Sequence, residues 1–140
     1  MKIAIAGCGY VGLSMAVLLA QHNDVVAYDI SSGKIDDLNR KISPIKDPDI
    51  EHYLATKPLK LRATTNPEEA FTDANFVIVG TPTDYDAQTN YFDTSSVEHV
   101  IEKVVALNPA AHIVIKSTIP VGFTARMIAK HRFPNIIFSP

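Results

Sequence analysis

The chain has 140 residues, the usual size of one domain, and 46% of them are apolar, enough to fill a single core. Thirteen basic residues against fifteen acidic ones leave a net charge of -2, which excludes the basic excess that grips nucleic acid or an anionic membrane. One cysteine excludes a disulfide framework and a cysteine-rich metal site, so the composition predicts a soluble domain of the cytoplasm.

Residues 3–20 (IAIAGCGYVGLSMAVLLA) carry no charge, and Ile5-Ala6-Gly7-Cys8 imitates a lipoprotein cleavage box. Cys8 comes too early for export, because an apolar segment of about 7–15 residues must precede cleavage. Three glycines also weaken a spanning helix by about 1 kcal/mol each. Lys2–Ala6 instead reads as a short buried strand that ends at a glycine. From Tyr10 to His22 the period changes, and Val11, Met15, Leu18 and Leu19 predict a helix with one apolar face.

Val25–Ile30 reads as the second strand, closed by an acid, and Ser31–Lys41 as a polar helix with Ile35 and Leu38 inward. Asp47-Pro48 offers a cap followed by proline at the first helical position, so a short helix through Tyr53 and Leu54 follows. Lys60–Thr64 is the third strand. Asn66 with Glu69 three residues on is a capping-box start. Phe76–Gly80 is the fourth strand, Pro82–Asp93 a polar loop and Asp93–Leu107 a helix. Ile113–Ser117, a helix over Val121–Arg132 and a last strand over Ile136–Phe138 complete the chain. Alternating strands and helices, with strands apolar on both faces, predict an α/β, Rossmann-type, doubly wound parallel sheet of six strands in order 3-2-1-4-5-6, with helices on both faces. Residues 1–140 form one such domain, and its ligand belongs at the carboxyl ends of the strands.

Gly7-Cys8-Gly9-Tyr10-Val11-Gly12 is G-x-G-x-x-G directly after a strand and at the opening of a helix. Gly7 permits the tight turn, Gly9 lets the backbone approach a pyrophosphate, and Gly12 lets the helix pack against strand one. The helix N-terminus then faces the phosphates. Asp29, at the end of the second strand, can accept hydrogen bonds from both ribose hydroxyls and would repel a 2′-phosphate, which selects NAD over NADP. The alternative role for Asp29 is to cap the helix near Ser31. Lys34 could reach the same ribose or stand in solvent. Thr83, in Gly80-Thr81-Pro82-Thr83, could bond the nicotinamide half or serve the turn. Thr118, in Lys116-Ser117-Thr118, could point into the crevice or cap the next helix, whose start Pro120 pre-shapes.

Metal chemistry finds no ligand set, because His22, His52, His99, His112 and His131 are scattered and Asp84, Asp86 and Asp93 lack a calcium-loop pattern. Cys8 lies in the phosphate turn, where backbone matters more than side chain, although a helix N-terminus can lower a thiol pKa.

GCGYVGLSMA, SPIKDPDIEHYL at 43–54, GTPTDYDAQTNYFDTSSV at 80–97 and IKSTIPVGFT at 115–124 resemble the N-terminal cofactor domain of bacterial UDP-glucose 6-dehydrogenases, in the UDP-glucose/GDP-mannose dehydrogenase family. The resemblance runs to Phe138-Ser139-Pro140. It implies oxidation of the sugar C6 alcohol to a carboxylate with two NAD⁺ and a water, through a cysteine thioester. By matching position, Tyr10 belongs to the cofactor turn, and Val11, Asp29, Lys34, Thr83 and Thr118 contact NAD. Thr118 also helps hold the hydrolytic water. The nucleophilic cysteine, an assisting lysine and the dimer-forming central helix lie in a later region of the family. The expectation is therefore a cofactor domain that binds NAD and is inactive and monomeric by itself, belonging to a homodimeric enzyme of UDP-glucose. GDP-mannose or UDP-N-acetyl-mannosamine as the sugar, and a non-catalytic NAD-sensing module, are the alternatives.

Overall fold

The computed structural model describes residues 1–140. In chain order its elements are β1 (Lys2–Ala6), α1 (Tyr10–Leu19), β2 (Asp24–Tyr28), α2 (Ser32–Asn39), α3 (Pro48–Thr56), β3 (Leu61–Thr64) and α4 (Pro67–Phe71). Then come β4 (Phe76–Val79), β5 (Asp84–Asp86), β6 (Tyr91–Asp93), α5 (Ser95–Leu107), β7 (His112–Ile115), α6 (Phe123–His131) and β8 (Ile136–Phe138). Six strands form one parallel sheet in the order β3-β2-β1-β4-β7-β8, the doubly wound order expected once β5 and β6 are set aside. The register is level: Thr64, Tyr28, Ala6, Val79, Ile115 and Phe138 stand in one transverse row at the carboxyl ends.

Period-two alternation sorts the strand residues between two covered faces. Ala4, Ala6, Val77, Val79, Ile113 and Ile115 pack against Phe71 of α4, Ile101 of α5 and Phe123 and Met127 of α6. Ile3, Ile5, Val25 and Ile78 meet Ala16 and Ala20, while Ala27 joins Leu13, Val17, Leu38 and Leu54 of α1, α2 and α3. No helix is long and apolar enough to cross a membrane.

The buried face of α1 overlaps the expected one only in part, with Met15 and Leu19 half-buried against the core. Leu13, Ala16 and Val17 are buried, whereas Val11 and Leu18 are 47% and 60% exposed. The helix is apolar nearly all round, so large side chains do not reveal its orientation. Gly12, Ala16 and Ala20, spaced by four, let its axis approach the sheet, and small size settles the question.

Three boundaries also move. The polar loop before α5 contains a β-hairpin, β5–β6, with no buried face of its own. Helix α5 begins at Ser95, and Asp93, which was expected to be its first residue, stays in β6 and accepts from the Ser95 N–H at 3.0 Å. Helix α6 begins at Phe123 instead of Val121, because Gly122 takes a left-handed φ of 86° as its N-cap. At α4, Asn66 caps through the Glu68 N–H as expected, but Glu69 does not return to Asn66 directly. The Thr64 hydroxyl accepts from the Asn66 N–H at 3.0 Å and donates to Glu69 at 2.7 Å, so the box closes through one extra residue. Asp47 and Pro48 start α3 as read, with Asp47 accepting from the Asp49 and Ile50 N–H groups.

The two sheet edges are finished differently. On β3, the Asn39 side-chain amide donates to the Ala63 carbonyl at 2.9 Å and accepts from its N–H at 3.0 Å, standing in for a neighbouring strand. The edge is thereby closed to strand addition at that residue. On β8 no side chain plays this part, and Ile137 and Phe138 are exposed.

Candidate functional site

Because the strands end level, the loops that follow β1, β2, β4 and β7 converge above the switch point between β1 and β4. They enclose a crevice of about 420 Å³. Gly7, Gly9, Tyr10, Val11, Asp29, Lys34, Thr83 and Thr118, the residues singled out from the sequence, all line it. Gly12 lies behind the lining. A Cβ on Gly12 would stand 1.7 Å from the Gly7 carbonyl oxygen, so this glycine is what allows helix and turn to touch. Gly7 has a φ of +100°, and a side chain there would run into the backbone of Gly80 at 2.8 Å. Gly9 is different. Its φ of -90° suits any residue, and a Cβ would meet nothing within 4 Å. The space kept free beside it belongs to the crevice and not to the protein interior.

Gly9 is the N-cap of α1, so no side chain caps the helix, and its first turn carries no acid. The orphan N–H groups and the positive end of the helix dipole are thus left for an anion from solvent. Lys34 and Lys116 line the same crevice, and neither is within 4.0 Å of a carboxylate. A pyrophosphate fits this donor set: free amides, a helix N-terminus, two unpaired cations and room where a Cβ would otherwise stand.

Asp29 follows the last residue of β2 and is half-buried. One carboxylate oxygen accepts from the Cys8 N–H at 2.8 Å and the other from the Ser31 N–H at 2.9 Å. The cap of α2 is Ser31, whose hydroxyl accepts from the Lys34 N–H, so Asp29 does not cap the helix itself. It joins the glycine turn to the start of α2, and its oxygens retain lone pairs for further donors. The Cys8 thiol, held in the buried underside of the turn, is pushed up from its ordinary 9.0 to about 12, by burial first and then by the Asp29 charge. Burial outweighs the helix N-terminus here, and the thiol stays protonated.

At the far wall, Thr83 donates its hydroxyl hydrogen to the Thr118 carbonyl at 2.8 Å. Thr118 is exposed, its own hydroxyl has no protein partner, and it does not cap α6, since Gly122 does. The sequence reading did not single out Gly80, Thr81, Lys116 and Ser117 as site residues, yet they line the crevice too. Their signal was available: each lies within two residues of the end of β4 or β7, where a doubly wound sheet places its ligand.

The sequence pattern of the UDP-glucose/GDP-mannose dehydrogenase family, NAD binding domain, matches residues 1–134. The chain is 51% identical over 140 residues to the UDP-glucose 6-dehydrogenase of Streptococcus pneumoniae, covering 100% of this chain and 36% of that protein. It is 45% identical over 142 residues to the UDP-glucose 6-dehydrogenase of Campylobacter jejuni, again covering 36% of the relative. Among solved structures, a UDP-D-ManNAc dehydrogenase from Pyrococcus horikoshii superposes with a TM-score of 0.84 at 32% identity, over 94% of this chain and 32% of that one. The chain spans about a third of the length of these relatives. A glycine turn, an acid after β2 and a match across 134 residues coincide in one sheet, and the chain belongs to the UDP-glucose/GDP-mannose dehydrogenase family as its NAD-binding domain.

Proposed function

We propose that the crevice binds NAD⁺ with its adenosine ribose on Asp29, its pyrophosphate over the Gly7–Gly12 turn and its nicotinamide between the Thr83 and Thr118 loops. The observation that carries this reading is the Asp29 carboxylate, which is already fixed by the Cys8 and Ser31 amides and so is aimed before any ligand arrives. Tyr10 and Val11 flank the pyrophosphate from the first turn of α1, and Lys34 reaches the ribose from α2. When bound, NAD⁺ supplies the hydride acceptor. The protein orients it, excludes the 2′-phosphate of NADP⁺ by the Asp29 charge, and leaves the Thr118 hydroxyl free to hold a water at the reacting end.

In a protein of the relatives' length, the reaction is the oxidation of UDP-glucose to UDP-glucuronate through a cysteine thioester, in a cytoplasmic homodimer. The nucleophilic cysteine then comes from outside these 140 residues, since Cys8 is buried and stays protonated. Residues 1–140 therefore act as a single cofactor domain, binding NAD⁺ without catalysis.

Calorimetric titration of the chain with NAD⁺ and NADP⁺ tests the assignment. NAD⁺ binds, and NADP⁺ binds at least about tenfold more weakly, as one lost charge-assisted contact requires. Asp29→Ala weakens NAD⁺ about ten- to a hundredfold. Equal affinity for the two dinucleotides would remove the ribose role of Asp29. Adding UDP-glucose, GDP-mannose or UDP-N-acetyl-mannosamine to the full-length enzyme with NAD⁺, and following reduction at the nicotinamide, identifies the sugar.

A further inference from the structure

Strands β4 and β7 stop pairing just below the crevice. The Lys116 and Ser117 N–H groups both donate to the Val79 carbonyl, at 2.8 and 3.1 Å, and no main-chain hydrogen bond joins the two loops beyond that point. Two side chains continue the connection in opposite senses. From the β7 side, the buried Ser117 hydroxyl donates to the Thr81 carbonyl at 2.7 Å. From the β4 side, the Thr83 hydroxyl donates to the Thr118 carbonyl at 2.8 Å. Ser96, in the first turn of α5, braces the outer side of the same loop, within hydrogen-bond distance of the Thr81 hydroxyl and the Pro82 carbonyl.

We propose that Ser117 and Thr83 form a reciprocal clasp that sets the width of the crevice at its nicotinamide end, with Ser117 a positioning residue acting on the cofactor through Thr81, Thr83 and Thr118. The inference rests on the NAD⁺ assignment given above. Each half of the clasp ties one loop's side chain to the other loop's carbonyl, and the gap keeps its width only while both bonds are made. The clasp also fixes the polarity of the wall. The Thr83 hydroxyl hydrogen is committed to Thr118, so towards a ligand that hydroxyl only accepts, whereas the Thr118 hydroxyl remains free to donate or accept.

The test compares NAD⁺ with ADP-ribose, which lacks the nicotinamide, by calorimetric titration of the 140-residue chain. Ser117→Ala and Thr83→Val each weaken NAD⁺ about five- to tenfold, the worth of one hydrogen bond, and leave ADP-ribose within about twofold. Thr83→Ser, which keeps the hydroxyl, restores NAD⁺ affinity. The double variant binds NAD⁺ no more weakly than about twofold below the weaker single variant, because either break alone releases the gap. A purely structural serine would lower both ligands together or neither. Unchanged NAD⁺ affinity in Ser117→Ala and Thr83→Val, or equal losses for ADP-ribose, overturns the clasp while the cofactor site stands. Wild-type chain that binds neither ligand overturns the site and the clasp together. If Ser117→Ala fails to fold, Thr83→Val carries the same prediction from a half-buried loop position.

Discussion

Gly9 and Gly12 stand three residues apart in one turn under different constraints, and their alanine variants separate folding from binding. The Gly12→Ala methyl would lie 1.7 Å from the Gly7 oxygen, so α1 has to leave its place against β1. The expected cost is at least about 3 kcal/mol, read as a shift of the urea midpoint. Gly9→Ala puts its methyl in open space on an ordinary backbone, so stability changes by no more than about 1 kcal/mol, the difference between glycine and alanine at an N-cap. Its NAD⁺ affinity falls at least about tenfold in the same titration, because the methyl occupies the phosphate approach. This division was legible in the sequence, since strand, glycine spacing and following acid together assign each glycine a separate task. What the Asp29 carboxylate does inside the protein was not legible. Its bond to the Cys8 N–H links residues 21 apart, and only the level register of β1 and β2 brings them together.

At the scale of elements, two asparagines each make two hydrogen bonds to backbone and differ in burial. Asn108, after α5, is buried and donates to the Phe71 and Ala74 carbonyls at 2.9 and 2.8 Å. Asn39, the last residue of α2, makes its pair with Ala63 in reach of water. Asn108→Ala strands two carbonyls and costs about 2–3 kcal/mol, whereas Asn39→Ala lets water replace the amide and costs about 1 kcal/mol. Chemical denaturation of the two variants side by side checks the ordering. Elements with a buried face were readable from pattern, as β1, β4, β7 and the Asp47-Pro48 start of α3 show. The β5–β6 hairpin was not, because Tyr85 and Tyr91 are exposed and no alternation marks an inner side. The start of α6 was misplaced for a related reason. Pro120 and Val121 look helical in sequence, and only the left-handed backbone of Gly122 holds the helix back to Phe123.

For the molecule as a whole, the Cys8 thiol ties stability to alkaline pH. Its folded pKa of about 12 lies above its ordinary 9.0, so the folded state holds the proton where the unfolded chain releases it. The contribution is fully present below pH 9 and is lost as pH rises from 9 towards 12, by up to about 4 kcal/mol for three units. Urea denaturation at pH 8, 9.5 and 11 should show this fall, and Cys8→Ala should flatten it. The native thiol should also resist iodoacetamide until the chain is unfolded. The fold class and the position of the crevice followed from alternation and the glycine turn. The pKa did not, because it depends on how tightly the turn is packed against the sheet.

The different finish of the two sheet edges limits how copies of this chain can associate. An assembly that grows by adding one sheet to the next needs two receptive ends on every unit. Here Asn39 occupies the Ala63 position at one end, and only the β8 end, with Ile137 and Phe138 outward, stays open. Units with a single receptive end stop at pairs. For the 140-residue chain the expected product of edge pairing is therefore a capped dimer and not an open-ended fibril, and light scattering of Asn39→Ala, which frees the Ala63 position, should show growth beyond pairs.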